Sequence, residues 1–219
     1  MNTKITLPII SISEISNLRK VVPLEKEHAD GNISAAELEI ICQLIDYHKP
    51  LNIFEIGTFD GRTTVNLAHF SSPTSKVFTI DLPKEAMLTT KYPLYAGDEV
   101  VGPDSLYVNK EETGTRYKNK KEREKIIQLY GDTATFDFSP YINQMDFVFI
   151  DGSHAKDYVR NDTEVAMKLL KDGSGVLLWH DYGVWKDVTV VLDSYFLNDI
   201  RFKNCRNIEG TSFVYLNLK

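Results

Sequence analysis

Phe54-Glu55-Ile56-Gly57-Thr58-Phe59-Asp60-Gly61-Arg62-Thr63-Thr64 is the stretch that decides the fold. A short apolar run stops at Gly57, where the missing Cβ lets the backbone turn sharply and approach a ligand closely. Gly61 permits tight packing where the next helix begins. The first turn of that helix offers unpaired N–H groups and a partial positive charge, which suit a carboxylate. A dinucleotide loop would read G-x-G-x-x-G. Here two glycines have three residues between them, and an acidic residue, Glu55, stands two positions before the first. Alone, such a glycine pair is equally an ordinary βα turn, so its meaning depends on the rest of the chain.

Upstream, residues 1–33 show no sustained period and read as an arm. Ser34-Ala35-Ala36-Glu37 matches a capping box, and Leu38, Ile41, Leu44 and Ile45 follow at helical spacing. His48-Lys49-Pro50 ends that helix, because proline pushes its predecessor out of the α region. Downstream, apolar strands are predicted over 51–56, 76–81, 126–130, 147–150 and 175–179. Helices are predicted over about 63–68, after Asp151 and around Val188 to Phe196. Two last strands, about Phe202 to Asn207 and Ser212 to Leu218, meet across Glu209-Gly210 as a hairpin. Nearly all-apolar strands separated by helices predict a parallel sheet covered on both faces. The expected architecture is α/β: a doubly wound, mostly parallel, seven-stranded sheet with a C-terminal antiparallel hairpin. The main domain is expected over 34–219, with an insertion at about 83–125 that is too long for a plain crossover. The insertion carries Tyr92, Tyr95, Tyr107 and Tyr117 and a charged run from Arg116 to Lys125. It reads either as a cover over the mouth of a site or as a solvated loop and helix.

In such sheets ligands bind beyond the carboxyl ends of the strands. Gly57, Asp81, Asp132, Asp151, His180 and Asp181 all fall just after strands. A carboxylate at Asp81 can accept both hydroxyls of a ribose, and Gly131-Asp132 is placed to reach the edge of a base. Each residue alone has a bland explanation as a turn or helix cap. Together, at the ends of successive strands, they describe a nucleoside ligand with a charged amino-acid tail.

The 219 residues suffice for one sizeable core, and 42% apolar with 26% charged residues is ordinary for a globular protein. The formal net charge of −6 argues against a nucleic-acid partner, since phosphate contacts run on Lys and Arg. No run is long and apolar enough for a membrane span, and Met1 to Lys20 lacks the pattern of a secretory signal. Cys42 and Cys205 stand in no metal or redox spacing, which fits a reducing, cytoplasmic setting.

These motifs resemble the class I S-adenosylmethionine-dependent methyltransferases, with their Rossmann-like fold. The likeness is nearest to the small-molecule O-methyltransferases related to catechol O-methyltransferase and macrocin O-methyltransferase. It rests on residues 54–61, Ile80-Asp81, Gly131-Asp132, Phe147-Val148-Phe149-Ile150-Asp151-Gly152-Ser153-His154 and Leu177-Leu178-Trp179-His180-Asp181-Tyr182. The resemblance implies S-adenosylmethionine as cofactor. Glu55, Gly57, Thr58, Phe59, Gly61 and Thr63 would hold its methionine part, Asp81 and Leu82 its ribose, and Gly131 and Asp132 its adenine. The metal-dependent members imply a divalent ion on Asp151, His180 and Asp181, and a base at His154, where the family carries lysine. His180 stands where the family has an oxygen donor, and magnesium prefers hard oxygen ligands whereas imidazole suits other metals. Three readings stay open: another divalent metal binds, His180 is not a ligand, or no metal binds.

The expected reaction is O-methylation of a small hydroxylated acceptor (a sugar, phenol or natural product), with Asp151 and His154 as catalytic residues. Asp151 and Asp181 also read as helix caps, and His154 as a backbone partner beside the cofactor. Two rival functions are a nucleotide- or NAD-binding oxidoreductase, which the glycine spacing disfavours, and a non-catalytic relic acting through protein contacts. The arm and the insertion would be natural interface material for a homo-oligomer.

Overall fold

A computed structural model of the protein describes residues 6–15, 19–94 and 103–218. Its elements are β1 (Ile9–Ile10), α1 (Ile12–Ile15), α2 (Ala35–His48), β2 (Asn52–Ile56), α3 (Arg62–Phe70), β3 (Lys76–Asp81), α4 (Pro103–Val108), β4 (Ile126–Tyr130), β5 (Phe147–Ile150), α5 (Lys156–Leu169), β6 (Gly175–Trp179), α6 (Lys186–Asn198), β7 (Arg206–Ile208) and β8 (Val214–Leu218). The capping box forms as the sequence predicts: Ser34 Oγ accepts from the Glu37 amide, and Glu37 Oε2 accepts from the Ser34 amide. Helix α2 stops because Lys49 turns left-handed at φ 49° while its N–H still reaches Ile45 O.

The strands form one sheet in the order β1-β7-β8-β6-β5-β2-β3-β4, parallel except where β8 runs against β6 and β7. From β2 the chain winds outward through β3 and β4. It then returns to β5 on the other side of β2 and winds outward again through β6. The switch point therefore lies between β2 and β5, where an α/β sheet opens a cleft at its carboxyl edge. Gly57 sits there at φ +98°, and a Cβ on it would lie 1.9 Å from the Asp151 carbonyl oxygen. The two strand ends come this close only because position 57 has no side chain.

The side chains of each strand alternate between two cores. Ile53, Val77, Phe147, Phe149 and Leu178 pack against α2 and α3 on one face. Phe54, Ile56, Val148, Leu177 and Trp179 pack against α5 and α6 on the other. Each buried large apolar side chain is worth about 1.5–3 kcal/mol of transfer free energy, and both faces need covering, hence the near-continuous apolar strands.

Two expectations are corrected. The sheet has eight strands, not seven: β1, from the arm, pairs in parallel with β7. A two-residue strand is too short to show an alternation in sequence. The segment predicted as a strand from Phe202 to Asn207 instead begins as a 3-10 turn, Ile200–Phe202, and only Arg206–Ile208 is extended. The Asp199 side chain caps that turn through the Arg201 amide.

Candidate active site

Gly57, Thr58, Phe59 and Thr63 line a cavity of about 350 Å³ at the switch point. Asp81 and Leu82 after β3, and Gly131 and Asp132 after β4, line it as well. Asp151 and His154 after β5, with His180 and Asp181 after β6, line the rest. Gly61 and Glu55 do not reach the cavity. Gly61 forms the N-terminal turn of α3 at φ +84°, where a Cβ would meet Tyr117 at 2.6 Å.

Glu55 lies beneath the loop, completely buried. Its Oε2 accepts from Thr64 Oγ1 at 2.5 Å and from Thr79 Oγ1 at 2.6 Å. Because Thr79 gives its proton to Glu55, Thr58 must donate to Thr79, and Gln128 Nε2 donates to Thr58 in turn. Tyr117 OH donates to Gln128 Oε1. A directional relay of donors from β3, β4 and the insertion thus ends on one carboxylate oxygen and fixes the glycine loop from below. The other oxygen, Oε1, has no hydrogen-bond partner among the described residues. Burial pushes the Glu55 carboxyl up to about 8 against the two hydroxyl bonds that favour its charge.

Asp81 accepts from the Phe59 amide at 2.7 Å and pairs with Lys110 Nζ at 3.1 Å. Burial raises its carboxyl, opposed by Lys110. Asp132 is held by Tyr158 OH, the Ala134 amide and the Lys91 amide. It shapes the loop after β4 with most of its acceptor capacity already in use. Tyr158 in turn packs edge-on against Tyr92 of the insertion. Tyr107 covers Phe59, and Tyr117 packs under Gly61. Tyr95 lies outside the described residues.

Two histidines and four carboxylates alternate beside the cavity, with Glu37 behind its wall. His180 Nδ1 lies 3.0 Å from Asp151 Oδ1 and 3.2 Å from Asp181 Oδ1. Its Nε2 is 3.4 Å from Glu37 Oε2, an ion-pair separation without hydrogen-bond geometry. His154 Nε2 meets Asp181 Oδ2 at 2.8 Å, and its Nδ1 meets Asp104 Oδ1 at 2.5 Å. Burial alone would lower both imidazoles. The carboxylates on either side outweigh it, raising His154 to about 10 and His180 well above the ordinary histidine value. Burial would likewise raise Asp181, but the two imidazoliums hold its carboxyl well below the usual range. Asp181 also sits at φ +70°, a left-handed backbone that aspartate tolerates better than most residues. Its amide is held by Ser212 Oγ of the hairpin, which itself donates to Glu37.

Asp151, His180 and Asp181 offer ligand atoms within 4.8 Å of one another. At present the His180 N–H fills the gap between the two carboxylates. A cation would replace that proton and take neutral imidazole as a third ligand. The donor set is mixed nitrogen and oxygen, which fits a borderline divalent ion better than magnesium.

A model of the methyltransferase domain family matches residues 54–182, more than half the chain, a span that takes in every strand end lining the cavity. The chain belongs to the methyltransferase domain family. Solved methyltransferases share its fold at low identity. The O-methyltransferase TomG from Streptomyces achromogenes, involved in tomaymycin synthesis and crystallised with SAM, is 16% identical at a TM-score of 0.55, covering 87% of this chain and 83% of that one. A Podospora anserina methyltransferase with SAH bound is 13% identical at a TM-score of 0.59, covering 87% and 81%. A Bacillus cereus O-methyltransferase in complex with SAH is 14% identical at a TM-score of 0.55, covering 87% and 84%. No curated protein matches the chain by sequence.

Three polar residues of this methyltransferase escaped the sequence reading. Asp104 and Lys110 lie in the insertion, which has no period and no motif to mark them. Glu37 reads in sequence only as a helix cap, and its spacing carries no hint of His180. The arm reaches the cavity because α3 ties it down: Arg62 donates to Ile33 O and Lys26 O, and Asn66 Oδ1 accepts from Leu24 N at 2.7 Å. Among the described residues, no helix is long and apolar enough to cross a membrane.

Proposed function

We propose that the protein is an S-adenosylmethionine-dependent O-methyltransferase acting on a small hydroxylated acceptor, assisted by a divalent ion. The observation that carries this reading is one cavity holding both a ribose-type carboxylate, Asp81, and the Asp151–His180–Asp181 cluster. The family match and the SAM- or SAH-bound neighbours support the choice of cofactor. Charge supports it as well. Asp30, Asp60, Asp81, Asp104, Asp132, Asp151, Asp162 and Asp181 line the cavity, against Lys110 and the imidazoliums of His154 and His180 among the described residues. Such a wall favours a ligand bearing a sulfonium and an ammonium.

S-adenosylmethionine supplies a methyl carbon activated by a positive sulfur. Asp81 orients the ribose through its diol, and the first turn of α3, which carries Thr63, faces the amino-acid end. Gly57 lets that end approach the sheet edge. Asp151, His180 and Asp181 would hold a divalent ion, which supplies Lewis acidity to a bound hydroxyl. His154 would accept the proton that the hydroxyl loses only in its neutral form, so the rate should rise with pH toward about 10, where the ring gives up its own proton. Trp185, with its ring 4.7 Å from that of His154, walls the site against water.

The test has two parts. S-adenosylhomocysteine should raise the melting temperature and NAD should not, since only a ligand of the folded state stabilises it. Asp151→Ala should then abolish transfer of labelled methyl to a panel of sugars and phenols while S-adenosylhomocysteine still binds. Full turnover by that variant would refute the role of the cluster, and stabilisation by NAD alone would refute the cofactor.

A further inference from the structure

We infer that Asp162, on the buried face of α5, reads the 6-amino group of the cofactor's adenine and so sets which base the site accepts. The inference rests on the methyltransferase reading and adds a specificity-determining residue to it. Asp132, which the resemblance places at the base, already accepts from Tyr158 OH, the Ala134 amide and the Lys91 amide. Asp162 stands among Tyr158, Val159, Ala166 and Leu169 on the buried face of α5, is itself only 2% exposed, and lines the cavity. Packing alone would place an apolar residue there, since a buried carboxylate without a cation is costly. Among the described residues no cation pairs with it, and the charged group that acts on it is Asp132. Its charge is favoured by the Thr133 hydroxyl and by Asn161 Nδ2, which donates to Oδ1 at 3.0 Å. A carboxylate offers about four acceptor positions, so these two donors leave capacity for a ligand. Burial raises the carboxyl to about 6, so near neutral pH it is ionised and can only accept.

The neighbour of Asp162 completes a pattern. Asn161 Nδ2 also donates to Thr133 O at 3.1 Å, which fixes the loop after β4 against α5. Thr133 lines the cavity, and its N–H has no hydrogen-bond partner among the described residues. A pure acceptor at Asp162 therefore stands beside a free donor at Thr133. Gly152 keeps the approach open, because a Cβ on it would lie 3.4 Å from Asp162 Oδ2. Adenine carries the complement along one edge: its 6-amino group donates and N1 accepts. A 6-oxo purine carries the reverse, an oxygen at position 6 and a proton on N1. It would set that oxygen against a carboxylate and its N1 proton against an N–H. Buried polar groups left unpaired in this way keep their full desolvation cost, so such an edge rejects the wrong base more sharply than an apolar pocket does.

Calorimetry of the wild-type protein with S-adenosylhomocysteine and with S-inosylhomocysteine is the first test. The second ligand differs only in carrying oxygen in place of the 6-amino group and a proton on N1. It should bind about 100-fold or more weakly, the scale of two mismatched hydrogen bonds to buried groups. A smaller loss would overturn the proposal, and this measurement needs no variant that folds. Asp162→Asn then assigns the discrimination. Asparagine keeps the shape and an oxygen for Asn161, and it puts an NH₂ where Oδ2 now lies. That NH₂ opposes the adenine amino group and can donate to the oxygen of the 6-oxo base. The ratio of the two affinities should therefore fall by about tenfold or more, through weaker binding of S-adenosylhomocysteine and stronger binding of S-inosylhomocysteine. A merely structural role would weaken both ligands alike, leave the ratio where it was, and overturn the proposal. The same titrations keep the two hypotheses apart. No binding of S-adenosylhomocysteine to the wild type refutes the methyltransferase reading and the inference with it, whereas binding with an unaltered ratio in Asp162→Asn refutes only the role of Asp162.

Discussion

Replacing Glu55 by glutamine should change how stability depends on pH, and the size of the change follows from the burial of one carboxyl. Glu55 is raised from an ordinary 4.5 to about 8 because no water reaches it. Between those values the unfolded chain has released the proton and the native protein still holds it. Stability contributed by this group is therefore fully present below about pH 4.5 and is lost as pH rises toward 8. Each unit corresponds to ~1.4 kcal/mol, so the loss between pH 5 and pH 7 is about 2–3 kcal/mol, with a ceiling near 5 kcal/mol above pH 8. Glutamine keeps the shape and an oxygen to accept from Thr64 and Thr79. It leaves an amide N–H₂ where Oε1 has no protein partner, at a pH-independent cost of about 1–3 kcal/mol. The variant should be the less stable protein at pH 5 and should draw level with or overtake the wild type by pH 7 to 8. Urea unfolding of both proteins at pH 5, 6, 7 and 8 reads the difference, and for a chain of this length 2–3 kcal/mol is roughly 5–10 °C in melting temperature. Parallel stability profiles would show that the donor relay from Tyr117 through Gln128, Thr58 and Thr79 outweighs burial. A variant that grew relatively weaker with rising pH would show that the native carboxyl titrates below its unfolded value.

Other substitutions probe the cavity from different sides. Gly57→Ala should unfold the protein or abolish S-adenosylhomocysteine binding by calorimetry, because its Cβ would lie 1.9 Å from a backbone oxygen that cannot retreat without parting β2 from β5. Lys110→Met should tighten S-adenosylhomocysteine binding, by about fivefold if the surrendered ion pair is worth ~1 kcal/mol, because the ribose diol no longer competes for Asp81; weaker binding would mean that Lys110 contacts the ligand. Asn66→Ala should cost about 1–3 kcal/mol and open residues 19–33 to limited proteolysis, because its side chain accepts from Leu24 N and donates to Glu25 O.

The fold was largely legible because its signals are local. Apolar runs ending in glycine, aspartate or, for β6, His180 marked β2 through β6, and the Ser34–Glu37 box marked the start of α2. What failed to show was set by tertiary context. Strand β1 exists because Pro8 O and Ile10 O find the amides of Asn207 and Glu209, and two isoleucines carry no period. The first part of the predicted strand at 202–207 is a 3-10 turn because a single side chain, Asp199, caps it. The candidate site divides in the same way. Asp81, Asp132, Asp151, His180 and Asp181 were visible because each stands at a strand end or within two residues of one. Glu55 was visible as a motif member, but its place beneath the cavity was not, since strand alternation alone does not say which face a glycine loop will cover. Asp104, Lys110 and the second role of Glu37 depend on where an aperiodic insertion and a helix cap come to rest, and no spacing encodes that.

The division has a physical basis. Strand ends alone put Asp151, His180 and Asp181 on a rim, and such a rim would repel itself: two acidic groups with Glu37 and Asp104 nearby, all poorly hydrated. The two histidines make the arrangement tenable by sitting between carboxylates, His180 among Asp151, Asp181 and Glu37, and His154 between Asp181 and Asp104. Each terminal carboxylate comes from a segment outside the sheet, α2 in one case and α4 in the other. The strand ends therefore supply Asp151, His180 and Asp181, whereas the flanking segments hold the far side of each ring. A change confined to α4 would release one side of the His154 ring without disturbing a strand, and a change to the Ser34–Glu37 box would loosen a helix and the contact to His180 at once.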